Sequence, residues 1–151
     1  MRLHIEVGER VTVDGRDVTE QIRAPEVSSV VSAVAAHPPV REVLVREQRA
    51  WAAAREQCVV EGRDIGSVVF PDAKVKVYLT ADPAERAARR SRELGISSPE
   101  EIGALAEQIR RRDELDAARP VSPLKVAEGA HVIDSTGRCV ESVVEEIMEL
   151  L

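Results

Sequence analysis

The chain has 151 residues, of which 44% are hydrophobic and 32% charged, a composition typical of one soluble globular domain. Its net charge of −6 argues against general binding of nucleic acids or anionic membranes, which requires a basic surplus. Aromatic residues make up 2% of the chain, too few for a surface that stacks single-stranded bases.

The amino-terminal part of the chain predicts a hairpin and two helices. Apolar and polar residues alternate over residues 3–13, which is typical of two short strands, and a turn is predicted at residues 14–15. Pro25 and the apolar spacing after it predict a helix that ends at His37, before two prolines. A longer helix is predicted along residues 40–54.

Strands and helices are predicted to alternate in the rest of the chain. Three strands are indicated by short apolar runs, at residues 58–60, 75–79 and 131–133. Asp82, Pro83 and Glu85 form a predicted capping box, Ser98 begins a further helix, and an apolar face over residues 140–151 predicts the last one. This order indicates an α/β domain with a mostly parallel sheet.

The sequence Glu-Gly-Arg-Asp-Ile-Gly at residues 61–66 follows the first of these strands. Ligands of parallel α/β sheets bind beyond the carboxyl ends of the strands. Arg63 can bind an anion, and Asp64 can accept a hydrogen bond from a ligand. The two glycines allow close approach of the backbone to that ligand. The alternative interpretation is a local ion pair within a turn.

Two arginine clusters lie on predicted helices either side of Gly95. They comprise Arg86, Arg89, Arg90 and Arg92 in the first helix and Arg110, Arg111 and Arg112 in the second. Such runs are usually solvated faces, but their placement around a glycine also fits a hinged arm that closes on a polyphosphate. Arg112, Asp116 and Arg119 share one face if the second helix continues that far.

Metal and membrane sites are not expected. The three histidines and two cysteines have no spacing typical of metal ligands, so we predict no protein-bound metal. No apolar run approaches the length of a membrane-spanning helix, and no signal peptide is indicated, so a cytoplasmic location is expected. The pattern of a phosphate-binding loop, G-x-x-x-x-G-K-[ST], does not occur within residues 1–151.

Longer stretches of sequence resemble bacterial cytidylate kinases, which phosphorylate CMP and dCMP with ATP. The resemblance is strongest in the sequence Val-Glu-Gly-Arg-Asp-Ile-Gly-Ser-Val-Val-Phe-Pro-Asp-Ala at residues 60–73. Further similar segments are residues 17–23, 34–42, 75–81, 85–90, 111–113, 119–124 and 132–136. The resemblance covers essentially the whole chain and implies a nucleoside monophosphate kinase-like fold of the P-loop kinase type.

The resemblance implies a binding site for the nucleoside. Ser32, Arg41 and Asp64 match family positions that recognise the cytosine edge. An acidic acceptor suits the exocyclic amine of cytosine. Arg112 and Asp116 match positions that hold the sugar.

The resemblance also implies catalytic residues. Arg63 and Arg119 match positions that grip the CMP phosphate, and Arg89 matches a lid arginine that contacts ATP. Together with Arg112 they would stabilise the transferring charge, with ATP as phosphoryl donor and Mg²⁺ as cofactor.

Members of the family begin with a strand, a phosphate-binding loop and a helix that come before the hairpin. We therefore expect a parallel sheet with flanking helices that lacks its first strands, plus a small hairpin and helix insert that binds the nucleotide. One domain, 1–151, is predicted, divided into the CMP-binding insert with the following helices (1–57), core strands (58–81), a helix and lid arm (82–119), and a core strand with the C-terminal helix (120–151).

The predicted function is (d)CMP kinase-type phosphoryl transfer in pyrimidine nucleotide metabolism, incomplete in this isolated chain. The expected partners are CMP or dCMP, ATP and a polypeptide that supplies the phosphate-loop segment, without nucleic acid or membrane. Two alternatives stay open at this point. The chain could be a non-catalytic CMP-binding or interaction module, or a truncated remnant without independent activity.

Overall fold

The computed structural model describes residues 4–151, without the side chains of Pro25, Ser28, Ser29 and Ser32. The chain divides into two compact units, Met1–Arg41 and Glu42–Leu151. Residue 3, which begins the predicted hairpin, lies outside the described part.

The first unit contains a three-stranded antiparallel sheet in the order β1-β2-β3. Its strands are β1 (Ile5–Val7), β2 (Val11–Val13) and β3 (Arg16–Asp17). The predicted hairpin and turn are confirmed, with Asp14 and Gly15 at φ of 50° and 77° between β2 and β3. Sequence reasoning missed β3 because two charged residues show no alternation.

Two of the predicted helices follow this sheet. A short 3₁₀ turn, Gln21–Arg23, precedes α1, Pro25–Ala35. The predicted break at His37 is confirmed, and α2 spans Pro38–Ala53. Both helices begin at a proline, whose missing N–H costs nothing in the first turn.

The Glu42–Leu151 unit contains a π-helical turn, a parallel pair of strands and three further helices. They are a π-helical turn (Ile65–Val69), β4 (Val77–Thr80), α3 (Pro83–Leu94), α4 (Pro99–Ala117), β5 (His131–Asp134) and α5 (Val140–Met148). β4 and β5 pair in parallel, with Val77 opposite His131 and Thr80 opposite Asp134. The predicted parallel arrangement of these two strands is confirmed.

The strand predicted at residues 58–60 does not form. These residues have no regular structure, and Val59 is 96% exposed. A strand requires a hydrogen-bonded neighbour, and within the described residues β4 and β5 pair only with each other. Apolar character alone was therefore an insufficient signal at this segment.

The capping box predicted for α3 is half formed. The carboxylate of Asp82 accepts a hydrogen bond from the amide of Ala84 at 2.8 Å, as predicted. The prediction that Glu85 accepts the reciprocal hydrogen bond from the amide of Asp82 is wrong, because that amide donates to Thr136 Oγ1. Glu85 accepts from Arg89 Nε at 3.0 Å, so a tertiary contact and a side-chain pair replace the box.

The buried apolar side chains of this unit come from the π-helical turn, α3, the loop before β5, β5 and α5. They are Val69, Ala87, Ala127, Ile133 and Val143. One face of the π-helical turn, of α3, of β5 and of α5 is therefore buried. None of the helices in the described part is long and apolar enough to cross a membrane.

Candidate anion-binding site

In the loop at residues 61–66, the backbone of Gly62 lies close to the side chain of Ile65. A Cβ at Gly62 would lie 2.8 Å from Ile65 Cγ1, so any other residue would force that side chain to move. The loop continues into the π-helical turn, where the amide of Val69 donates to the carbonyl of Asp64 at 3.2 Å. Arg63 and the buried Asp64 stand immediately before this turn.

Arg49 of α2 holds the end of the π-helical turn. Its Nε donates to the carbonyl of Val69 at 2.8 Å, and its Nη2 donates to the carbonyl of Val68 at 2.9 Å. Carbonyls at a helix end have no partner within the helix, so a guanidinium is well suited to satisfy them. Arg49 therefore supports the loop that carries Arg63.

Asp113 of α4 bridges two arginines from different elements. Its Oδ1 accepts from Arg63 Nη1 at 2.7 Å, and its Oδ2 accepts from Arg86 Nη1 of α3 at 2.5 Å. Partial burial by itself would raise the pKa of Asp113, but the hydrogen bonds from Arg86 and Arg63 outweigh it. The pKa of Asp113 is therefore lowered, and its carboxylate is ionised at neutral pH.

Asp116 lies one turn further along α4, with no exposed side-chain surface. Its Oδ2 is 3.2 Å from Arg63 Nε and 3.9 Å from Arg112 Nε, and its Oδ1 pairs with Arg119 Nη2. Because a buried charge is stable only when it is paired, these arginines are held in place by Asp116.

Arg119 lies just beyond the end of α4 and still reaches Asp116, three residues before it. α4 ends at Ala117, so the helix does not extend as far as Arg119. The chain then turns back through Ser122, a buried residue at φ 56°, and the amide of Leu124 donates to the carbonyl of Asp116 at 2.9 Å. The side chain of Arg119 is only 11% exposed.

We call these six side chains the inner network: Arg63, Arg86, Arg112, Asp113, Asp116 and Arg119. Four guanidiniums face two carboxylates, which leaves a surplus of two positive charges in a half-buried place. Guanidiniums bind phosphate oxygens through pairs of parallel hydrogen bonds. The arrangement is suited to a dianionic phosphate group.

The structure brings together four of the predicted site residues: Arg63, Arg112, Asp116 and Arg119. Arg89 lies on α3 with other partners, because its guanidinium donates to Ser135 Oγ at 2.9 Å and to the Ser135 carbonyl at 2.5 Å. Its role toward ATP stays a prediction.

The predicted base-recognition residues are divided between the units. Arg41 is half-buried in the Met1–Arg41 unit, the side chain of Ser32 lies outside the described residues, and Asp64 is 5% exposed in the Glu42–Leu151 unit. Their roles toward cytosine also stay predictions.

Sequence reasoning missed three residues that support the site. Asp113 and Arg86 stood within recognised motifs, but nothing in their spacing showed that they would meet across two helices. Arg49 had no sequence signal, since its partners are backbone carbonyls about twenty residues away. Within the described residues, no group of three or more His, Cys, Asp or Glu side chains is placed to hold a metal ion.

Parallel strands followed by helices, with a cluster of arginines beside them, define the chain as an α/β protein. A family model described as cytidylate kinase matches residues 1–151. The chain therefore belongs to the cytidylate kinase family, whose fold is the nucleoside monophosphate kinase P-loop type, and the predicted resemblance is confirmed.

Two curated relatives have cytidylate kinase in their names. The chain is 48% identical over 145 residues to a cytidylate kinase of Caldanaerobacter subterraneus subsp. tengcongensis, covering 95% of this chain and 64% of that protein. It is 48% identical over 145 residues to a bifunctional pantoate ligase/cytidylate kinase of Prochlorococcus marinus (strain MIT 9303), covering 94% of this chain. The chain thus spans 64% of the first relative's length and 29% of the second's.

Proposed function

We propose that this chain provides the (d)CMP-binding side of a (d)CMP kinase, which converts ATP and (d)CMP to ADP and (d)CDP. The inner network is the observation that carries the proposal. Its surplus of two positive charges matches a phosphate monoester, which carries a charge of about −1.5 to −2 at neutral pH. Family membership supports the same substrate class.

The phosphate would be held by Arg63 and Arg119. Both guanidiniums are already oriented by buried or half-buried carboxylates, so little side-chain freedom is lost when the phosphate binds. Arg112, with its guanidinium 3.9 Å from Asp116, would reach the sugar together with that carboxylate.

The base would be recognised by Asp64, while the roles of Ser32 and Arg41 toward the base stay predictions from the sequence. The acidic oxygens of Asp64 suit the exocyclic amine of cytosine, and uracil has a carbonyl at the same place. We expect this acceptor to favour CMP and dCMP over UMP.

In the proposed reaction, an oxygen of the (d)CMP phosphate attacks the γ-phosphorus of ATP. The bond from that phosphorus to the β–γ bridging oxygen breaks, and ADP leaves with the bridging oxygen. Arg63, Arg89, Arg112 and Arg119 would stabilise the charge on the transferring group, which is the main task in phosphoryl transfer. Arg89 would exchange its contact with Ser135 for one with ATP.

We further propose that ATP is held by sequence that the longer relatives contain and this chain does not cover, in the same or a second polypeptide. Mg²⁺ would arrive bound to ATP, because this ion usually keeps phosphates and water among its ligands.

Calorimetry with CMP, cytidine and UMP tests the binding half of the proposal. We expect CMP to bind more tightly than cytidine or UMP, and Arg63→Lys to remove most of the advantage of CMP over cytidine. Arg110→Lys, a change of the same chemistry on the exposed face of α4, is the matched control. Equal binding of CMP and cytidine by the unaltered chain would contradict the phosphate site.

The catalytic half is tested by adding ATP, Mg²⁺ and a polypeptide with the remaining third of a relative, and measuring CDP. CDP formation only in the mixture supports a kinase whose ATP-binding part lies outside this chain. CMP binding without CDP, in a complex shown to be folded, would favour the non-catalytic CMP-binding module instead.

A further inference from the structure

We propose that Asp113 is a positioning residue for Arg63, and that Arg86 holds Asp113 in turn, so that α3 controls the orientation of the phosphate-binding guanidinium. The inference rests on the proposed function, since it concerns how well the site binds the CMP phosphate. Neither Asp113 nor Arg86 contacts the substrate in this proposal. Both act through Arg63.

The geometry at Arg63 shows why a second carboxylate matters. Asp116 contacts Arg63 through Nε at 3.2 Å, and Asp113 contacts it through Nη1 at 2.7 Å. A single contact at Nε would leave the guanidinium plane free to tilt. The contact with Asp116 Oδ2 is an ion pair without hydrogen-bond geometry, whereas Asp113 accepts a hydrogen bond from Nη1, so Asp113 defines the tilt of the guanidinium.

Asp113 itself requires an anchor, because it is less enclosed than Asp116. Its side chain is 23% exposed, whereas that of Asp116 has no exposed surface. The anchor is Arg86, whose Nη1 lies 2.5 Å from the second carboxylate oxygen of Asp113. Arg86 belongs to α3, the helix that also carries Arg89, so the orientation of Arg63 depends on where α3 lies against α4.

Charge alone predicts the opposite outcome from positioning. Removal of the negative charge of Asp113 makes the inner network more positive, which by Coulomb attraction strengthens binding of a phosphate dianion. Positioning predicts that the same change weakens CMP binding, because Arg63 loses its defined orientation. The sign of the change in affinity therefore separates the two explanations.

The experiment measures CMP and cytidine affinities of the full chain by calorimetry, with unfolding curves to establish that each variant is folded. Asp113→Asn is expected to weaken CMP about tenfold, which corresponds to loss of one well-formed contact, and to leave cytidine unchanged. Glu114→Gln, the neighbouring change on the exposed face of α4, is expected to alter neither affinity.

Two further variants keep the test decisive. Asp113→Glu retains the charge but displaces the carboxylate by one methylene. Positioning therefore predicts weaker CMP binding, whereas charge alone predicts no change in CMP affinity. Arg86→Ala is expected to weaken CMP when Asp113 is present and to have little further effect in the Asp113→Asn background.

Equal or tighter CMP binding by folded Asp113→Asn, or full CMP affinity in Asp113→Glu, would overturn the inference while leaving the proposed function intact. Failure of the unaltered chain to prefer CMP over cytidine would overturn both. The two failures are thus distinguishable in one set of titrations.

Discussion

Two faces of the same helix, α4, use the same residue types with opposite surroundings. On one face, Asp113 and Asp116 pair with arginines from the loop at 61–66, from α3 and from the turn after α4. On the other, Arg110 pairs with Glu107 and Glu114 of its own helix, and all three side chains are 56–61% exposed. We call Glu107, Arg110 and Glu114 the outer trio.

The two sets of ion pairs differ in their exposure to solvent and not in their residue types. Exposed ion pairs gain little because water screens the charges and the long side chains lose freedom. A buried carboxylate has no water to replace a lost partner, so its arginines become indispensable once it is out of solvent. The inner network therefore has structural and binding consequences that the outer trio does not.

The largest effect that would sharpen this comparison is expected for Asp116→Asn. Loss of this fully buried charge leaves Arg63 and Arg119 without their shared partner, and breaking such a pair costs about 3–5 kcal/mol. Urea unfolding measures the change. Glu114→Gln is the control and should have no measurable effect; a similar loss in both variants would remove the distinction between the two faces.

A second, smaller effect is expected at Arg49, which extends the comparison to α2. Arg49→Ala removes two hydrogen bonds to the carbonyls of Val68 and Val69 and should cost about 1–3 kcal/mol in the free energy of unfolding. Arg46→Ala, on the same helix, removes only a pair with the exposed Glu47 and should be neutral. If the Arg46 variant lost as much stability, the support of the π-helical turn would not be the cause.

A third effect concerns how the free energy of unfolding changes in acid. Because the folded-state pKa of Asp113 is lowered from its ordinary value of 3.8, its contribution to stability is present above that value. It is lost as the pH falls through the folded-state pKa. The difference in unfolding free energy between the unaltered chain and Asp113→Asn should therefore be constant near neutrality and shrink below pH 3.8. A difference that persists or grows in acid would contradict the ionised pairing.

The smallest effect is expected in the outer trio. Hydrogen bonds from Arg110 lower the pKa of Glu107, yet both groups remain in solvent. Arg110→Gln should leave the midpoint of urea unfolding unchanged at physiological salt, because hydration and the lost freedom of the long side chains offset the attraction in exposed ion pairs. A clear loss of stability at high salt would show that the trio contributes more than its exposure suggests.

The family and most of the local structure were predictable from the sequence. The alternation around β1 and β2, the proline starts of α1 and α3, and the strand character of β4 and β5 are local signals that need only neighbours in the chain. The motif at residues 60–73 also identified the loop that carries Arg63, because its residue types and order are specific to the family.

The sequence by itself determined the elements and the arginines that form the site. Tertiary structure decided which charges from different elements became partners in the inner network. Residues 58–60 look like a strand but have no neighbour to pair with in the described structure. The amide of Asp82 donates to Thr136 instead of to Glu85, and Asp113 joins Arg63 to Arg86. Periodicity is set within a helix or strand, whereas burial and pairing depend on which distant groups arrive at the same place and exclude water there.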